Sequence, residues 1–123
     1  RGTTDTTSKI VKRASNASDE GYSSFRAFKN DVGSAGKDRE WHHLVEQNPT
    51  NKIHFKSEQL QNADNLVNLP KNIHRRISAY YSSSLSDPGS GTVRQWISQK
   101  SFAEQLQYGK EVLNKVINGL TKN

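Results

Sequence analysis

Four residues of this chain have types and a spacing that suit chemistry on a phosphodiester. His42 and His43 are adjacent in the stretch WHHLVEQ, and Asn65 precedes His74 by nine residues. Phosphodiester hydrolysis needs a base that activates water and a positive centre that holds the phosphate and stabilises the leaving oxygen. An imidazole suits the base role near neutral pH, because its unperturbed pKa is about 6.5. The set therefore contains residue types that phosphodiester hydrolysis would use.

The other members of the set have complementary roles in the same chemistry. A second and a third imidazole can hold one divalent ion, which keeps its remaining positions for water and phosphate. An asparagine can hydrogen-bond across two strands and so fix the orientation of the base. Arg75 and Arg76 follow His74 at the start of a helix, where backbone N–H groups also favour phosphate. We expect these two arginines and Lys71 to bind nucleic-acid phosphates.

Three predicted elements would position these residues. The stretch EWHHLVEQ is consistent with a strand that ends at the Asn-Pro pair 48–49, and residues 65–70, NLVNLP, predict a second short strand. Pro70 stands where a first helical residue is favoured. The residues after it, KNIHRRISAYYSS, place their apolar members on one helical face. The predicted order is a strand with the histidine pair, a return strand that starts at Asn65, and a helix with His74.

Further helices are predicted on the N-terminal side. We expect a short helix within SKIVKRAS, residues 8–15, and another over residues 22–30, whose aromatic residues recur at near-helical spacing. A Gly-rich loop at 31–39 would follow. Residues 49–63 are polar and contain one weak helical stretch, FKSEQLQNA, which would lie between the two strands.

Two more helices are predicted on the C-terminal side. The stretch TVRQWISQ predicts a short one, and SFAEQLQYGKEVLNKVINGL predicts a long one with a continuous apolar stripe. The long helix opens with Ser101 and Glu104, which form a capping-box pattern, and Gly119 is its expected end. Trp41 and Trp96 are expected to be core anchors.

The composition predicts one small basic domain. The chain has 123 residues, of which 31% are hydrophobic, and its 18 Lys and Arg outnumber 12 Asp and Glu. This length suits a single domain, which we place at residues 22–123 after a loose leading segment at 1–21. The positive charge favours nucleic acid or an acidic protein as a partner. The expected fold class is α+β, mostly helical, with a small β-hairpin plus helix between N-terminal and C-terminal helices.

Two kinds of structure are excluded by the composition. The chain has no cysteine, so disulfides and cysteine-ligated zinc are absent. It also has no apolar run of about 18 residues. We therefore expect no stable insertion into a membrane.

The order of His pair, Asn65 and His74 resembles the HNH/endonuclease VII superfamily, the ββα-metal or His-Me finger nucleases. The resemblance covers residues 40–83 and implies a ββα-metal-like unit. It implies His43 as the general base, Asn65 as the residue that fixes the hairpin, and His42 and His74 as metal ligands. The implied cofactor is one divalent ion, Mg²⁺ or Zn²⁺/Ni²⁺.

The tryptophan before the histidine pair also resembles the WHH-type toxin domains at the C-termini of bacterial polymorphic toxins. These domains are the tips of contact-dependent inhibition and Rhs-like proteins. The resemblance implies a secreted or surface-delivered nuclease that acts in the cytoplasm of a competing cell. It also implies a cognate immunity protein, which we expect to be acidic because the domain is basic.

Several alternatives stay open on the sequence alone. DNA is the first expected substrate, and a metal-independent RNase that cuts tRNA or rRNA with His43 and His74 as base and acid is the second. A third alternative is a non-catalytic basic module that binds nucleic acid, with histidines that are merely structural. Adjacent residues on a regular strand point to opposite faces. His42 and His43 can therefore serve one site only if the backbone bends there.

Overall fold

The computed structural model describes residues 10–14, 17–87 and 89–121. These residues form a small, mostly helical α+β protein with a three-stranded antiparallel sheet, which confirms the coarse fold class. Within the described ranges no helix is long and apolar enough to cross a membrane. Tertiary contacts divide the chain into two compact units, and their boundary in the sequence lies between Lys71 and Asn72.

The first unit contains the sheet and several short helices. In chain order its elements are β1 (Lys12–Arg13), α1 (Phe25–Val32), β2 (Arg39–His43), α2 (Pro49–His54), α3 (Ser57–Leu60), a 3₁₀ turn (Ala63–Asn65) and β3 (Leu66–Pro70). The central strand β3 pairs antiparallel with β1 on one side and β2 on the other. In the ladder of the two longer strands, Arg39 is opposite Pro70 and His43 is opposite Leu66.

Helix α1 covers one face of this sheet with aromatic side chains. It begins after Ser24, whose hydroxyl accepts a hydrogen bond from the backbone N–H of Ala27 at 3.0 Å, as is usual for an N-cap serine. Phe28 is completely buried and forms a small core with Ala14 and Leu66. Around that core pack the partly buried residues Ala17, Tyr22, Phe25, Val32, Trp41 and Ala63.

The second unit begins at Asn72, the second residue of helix α4 (Lys71–Tyr81), and also contains α5 (Val93–Ile97) and α6 (Phe102–Thr121). Its first helix starts immediately after β3, and its buried residues Ile73, Ile77 and Tyr81 recur every four positions. Helix α5 has a reciprocal capping box between Thr92 and Gln95.

The structure corrects two expectations about the bounds of elements at the N-terminal end. Where a helix was expected over residues 8–15, Lys12 and Arg13 form a strand on the open edge of β3, and residues 8, 9, 15 and 16 lie outside the described ranges. The strand expected to reach residue 48 ends at His43. Both differences follow from tertiary hydrogen bonds, which override local propensity.

Two expectations about the C-terminal helices are also wrong. Gly119 does not end α6, which continues to Thr121; a glycine inside a helix costs only about 1 kcal/mol relative to alanine. Trp96 is 38% exposed and is not a core anchor. Helix α5 buries Val93 and Ile97 instead, one turn apart. The half-buried Trp41 packs on Phe28 with ring centroids 5.0 Å apart, as expected.

Candidate functional site

The histidine pair lies at the end of β2, and the two rings point to opposite faces of the sheet. Trp41 and His43 share one face because side chains alternate along a strand. That face carries α1: the His43 ring packs edge-on against Phe25 with centroids 4.9 Å apart and planes at 68°. His42 points to the other face together with Glu40. Both histidines are buried, with 5% of His42 and 7% of His43 exposed.

A glutamine from the connection between the strands contacts the His43 ring. The Nε2 atom of His43 and the Oε1 atom of Gln61 are 2.7 Å apart. The amide nitrogen of Gln61 donates to Oε1 of Gln47, also at 2.7 Å. Gln61 is 4% exposed, so this short chain of hydrogen bonds runs from the buried ring to the partly buried Gln47.

Asn65 ties the two ends of the long β2–β3 connection together. Its side-chain Oδ1 accepts from the backbone N–H of Val45 at 2.7 Å, and its Nδ2 donates to the carbonyl of Val45 at 3.0 Å. The same Nδ2 also donates to the carbonyl of Leu60 at 3.0 Å. The backbone N–H of Leu44 donates to the carbonyl of Asn65 at 2.8 Å. The residues just after the histidine pair are therefore fixed to the start of β3.

The connection itself is ordered by asparagine side chains. Asn48 caps helix α2 by accepting from the N–H of Asn51 at 2.9 Å, and Pro49 takes the first helical position. Asn51 is fully buried, and its amide donates to the carbonyl of Glu46 at 2.7 Å. The insertion between the strands is thus a folded segment with its own internal contacts.

The remaining sequence-predicted site residues lie on helix α4. His74 is partly buried there, and Lys71, Arg75 and Arg76 are exposed. The helix starts directly after Pro70. Because His74 belongs to the second compact unit and His42, His43 and Asn65 to the first, the assignment of all four to one site stays a prediction.

The predicted metal site uses His42 and His74 as ligands. In the described part of the chain, no group of three or more His, Cys, Asp or Glu side chains could hold a metal ion. His54, the fourth histidine, is exposed on α2 and donates to the carbonyl of Thr50 at 3.2 Å. A site made from His42 and His74 would have two protein ligands, so it stays a prediction.

Sequence reasoning missed the residues that hold His43. Gln61 lies in the same polar stretch as Gln59. The residue type alone does not show that Gln61, rather than Gln59, contacts the His43 ring. The aromatic spacing that predicted α1 indicated a buried helix face. It did not indicate that this face would cover His43. Comparison with known proteins adds no relative: no family model, curated protein or solved structure matches this chain.

Proposed function

We propose that this protein is an endonuclease that hydrolyses phosphodiester bonds of nucleic acid, with DNA as the first substrate to test and His43 as the general base. The observation that supports the proposal best is the tether at Asn65. An asparagine at the start of the return strand fixes, by two side-chain hydrogen bonds to Val45, the segment that follows the histidine pair. The antiparallel pairing of β2 with β3, and the place of helix α4 after β3 in the sequence, also support the proposal of a ββα-metal-like unit.

In the proposed reaction each residue has one task. The neutral ring of His43 takes a proton from the attacking water as the water oxygen forms the new bond to phosphorus. The bond from phosphorus to the leaving oxygen of the nucleic acid breaks, and that oxygen takes a proton from bulk water. Asn65 holds the backbone after β2 so that the ring keeps its orientation. Lys71, Arg75 and Arg76, which are exposed on α4, bind phosphates of the nucleic acid, and the two guanidinium groups can form bidentate pairs with phosphate oxygens.

The metal-dependent form of the reaction is one arm of the proposal. It assigns one divalent ion to His42 and His74, where it would polarise the scissile phosphate. The described residues contain no group of three or more His, Cys, Asp or Glu side chains that could hold a metal ion, and the roles of His43 and Asn65 do not require one. In the metal-independent arm, His43 takes the proton of a ribose 2′-hydroxyl, whose oxygen attacks phosphorus and forms a cyclic phosphate. His74 donates a proton to the leaving 5′-oxygen as its bond to phosphorus breaks. The need for a 2′-hydroxyl restricts this substrate to RNA.

The biological setting is also proposed from the resemblance to toxin tips. The nuclease would be delivered into a competing bacterium and would act in its cytoplasm. The producing cell would be protected by an immunity protein, and an acidic one would complement the net charge of +6. Harmless expression of the active domain in a bacterium that lacks the neighbouring gene product would contradict this setting.

A cleavage assay on the purified chain tests the function. Supercoiled plasmid and total cellular RNA are incubated separately, each with Mg²⁺ or with EDTA. The variants are His43→Ala and, as a matched control, His54→Ala, because His54 is exposed on α2 and outside the proposed site. We expect cleavage to fall by roughly 10²–10⁴-fold in His43→Ala, which is the usual contribution of a general base, and to be unchanged in His54→Ala.

The outcomes separate the alternatives. Plasmid nicking that EDTA abolishes supports the metal-dependent arm, and RNA cleavage that survives EDTA supports the other arm. Cleavage that His43→Ala and His54→Ala affect equally would refute the role of His43. Binding without cleavage, from folded protein free of inhibitor, would leave the basic binding module as the function.

A further inference from the structure

Two large aromatic side chains of the second unit are in contact with solvent. Trp96 is 38% exposed and Tyr80 is 41% exposed, whereas Ile97 and Ile77 on the same two helices are buried. Neither aromatic ring has a task in the proposed reaction. Single exposed apolar side chains are ordinary on a protein surface, but adjoining ones mark binding sites. What matters is therefore whether these two rings belong to one surface.

A third aromatic residue, Tyr108 of α6, joins the two exposed rings. The Tyr108 ring lies edge-on to Trp96 with centroids 5.3 Å apart and planes at 76°. The hydroxyl group of Tyr108 is hydrogen-bonded to the hydroxyl group of Tyr80. Helices α4, α5 and α6 thus each contribute one ring to a continuous aromatic row, which consists of Tyr80, Tyr108 and Trp96.

A cationic side chain adjoins each end of this aromatic row. The ammonium group of Lys100 lies 5.4 Å from the centroid of the Trp96 ring. Arg76 precedes Tyr80 by four positions on α4, so these two exposed side chains are neighbours on one face of the helix. Proteins that bind single-stranded nucleic acid combine aromatic rings, on which bases stack, with cations that hold the phosphates. The aromatic row and its two cations have this combination.

A groove beside Trp96 determines which part of a nucleic acid could lie there. It has a volume of about 500 Å³ and lies between α5 and α6, and its lining includes Lys100, Glu104 and Glu111. The two carboxylates lie about two turns apart on α6 and would repel a phosphate. The groove therefore suits an uncharged base, while the phosphates of the same strand would pair with Arg76 and Lys100.

We propose that the aromatic row binds unpaired bases of single-stranded nucleic acid, with Trp96 as the main stacking residue and Arg76 and Lys100 as phosphate ligands. This inference rests on the proposed nuclease function and names unpaired strands as its substrate class. A duplex does not fit, because its bases already stack on one another and its phosphates face outwards. Lys100 has a long, flexible side chain, so its ammonium can leave the indole for a phosphate when a base stacks on the ring.

Binding of oligonucleotides tests the aromatic row independently of cleavage. The full-length protein is titrated into fluorescein-labelled DNA of about 12 nucleotides, single-stranded or duplex, in EDTA. A second series uses 2′-O-methyl RNA, which has no free 2′-hydroxyl to attack, and gels verify that all strands stay intact. Trp96→Leu keeps an apolar side chain but loses the ring. We expect its Kd for single strands to rise by at least about 10-fold and its Kd for the duplex to be unchanged, while Trp96→Phe stays within a few-fold of the wild type.

The salt dependence of binding separates stacking from phosphate contacts. Lys100→Ala should reduce the slope of log K against log salt by about 0.7, the contribution of one phosphate of a single strand. Trp96→Leu should lower K equally at every salt concentration, because stacking releases no counterions. Lys110→Ala is the control for charge, since Lys110 is exposed but does not line the groove. Ile53→Ala is the control for an exposed apolar side chain, since Ile53 is 81% exposed on α2. Both controls should bind as the wild type does.

Tryptophan fluorescence reports directly on the stacked ring. The chain has two tryptophans, and Trp41 packs on Phe28 in the first unit. We expect single-stranded DNA to quench part of the emission of the wild type. In Trp96→Phe this quenching should disappear although the strand still binds.

The results distinguish failure of this inference from failure of the proposed function. Single-strand binding that Trp96→Leu leaves unchanged would overturn the inference, and a changed oligomeric state of that variant would then assign the row to a protein interface. Cleavage that depends on His43 would leave the nuclease function standing in both cases. Binding that depends on Trp96, without any cleavage by the wild type, would overturn the nuclease function and keep the binding site. Thermal denaturation verifies that each variant is folded, and Tyr80→Leu, at the other end of the row, repeats the comparison with a second exposed ring.

Discussion

Replacement of Asn65 by alanine should destabilise the first unit more than replacement of Asn62 by alanine. The Asn65 side chain is 1% exposed and makes three hydrogen bonds, two to Val45 and one to Leu60. A hydrogen bond contributes about 1 kcal/mol net, and a buried group left without its partner costs about 1–3 kcal/mol. We therefore expect Asn65→Ala to lower the free energy of unfolding by about 3–4 kcal/mol. For a chain of this size that corresponds to a fall in Tm of roughly 10–15 °C.

The matched control is Asn62→Ala, three residues earlier. Asn62 is partly buried and caps the 3₁₀ turn by accepting from the N–H of Asp64 at 3.0 Å. Loss of such a cap typically costs about 1 kcal/mol. A third variant, Asn65→Asp, is isosteric but turns an oxygen towards the carbonyls of Val45 and Leu60. We expect it to be at least as unstable as Asn65→Ala at neutral pH, and less so once the new carboxyl is protonated in acid.

The two tryptophans allow this test to be confined to the first unit. Trp41 lies in β2 and Trp96 in α5, one in each unit. Denaturant unfolding followed by fluorescence in a Trp96→Phe background therefore reports on Trp41 and its surroundings. Equal losses of stability in Asn65→Ala and Asn62→Ala would refute the reasoning, because the buried tether at Asn65 would then contribute no more than the partly buried cap at Asn62.

Three further predictions concern other parts of the chain. Gly21→Ala should lower the free energy of unfolding, measured with denaturant, by at least about 2 kcal/mol. The φ angle of Gly21 is +79°, and a new Cβ would lie 2.1 Å from the backbone oxygen of Glu58 in α3. Gly36→Ala should lower it by less, because φ is +110° there but the space around Gly36 is open. Arg75→Ala and Arg76→Ala should each weaken nucleic-acid binding and reduce the slope of log K against log salt by about one; unchanged slopes would exclude phosphate contacts. Burial, and then its hydrogen bond with Tyr80, raise the pKa of Tyr108 above its ordinary 10.0. The unfolded chain therefore ionises first, stability should fall as the pH rises above 10.0, and Tyr108→Phe should reduce that loss in alkaline unfolding curves.

Much of the fold could be predicted because its elements have strong local patterns. The helix that follows Pro70 and the long C-terminal helix combine apolar periodicity with a clear start signal, and both exist in the structure. The strand expected at residues 65–70 and the short helix expected in TVRQWISQ exist as well. Helix α1 was expected over residues 22–30 and occupies Phe25–Val32, because it begins directly after its N-cap residue, Ser24. Predicted elements of this kind depend on contacts within a few residues, which the sequence displays directly.

The elements that escaped prediction depend on distant partners. Strand β1 has two residues, and it exists because these residues pair antiparallel with the edge of β3. Helix α2 has an Asn48 cap and Pro49 at its first position, a start signal that was overlooked because the segment is polar. The contact of Gln61 with His43 spans 18 positions, and no periodicity links a loop glutamine to one particular ring.

Side chains alternate between the two faces of the sheet along β2, and this limits how the two histidines can act together. His43 faces α1 and Gln61, whereas His42 points to the opposite face with Glu40, so adjacency in the sequence places the two rings in different surroundings. The strand ends at His43, and beyond it the chain is fixed by Asn65 rather than by the ladder. A phosphate that interacts with both rings must therefore lie at this end of the strand. Loss of cleavage in both His42→Ala and His43→Ala would support that position, while loss in His43→Ala alone would make His42 a packing residue of the opposite face.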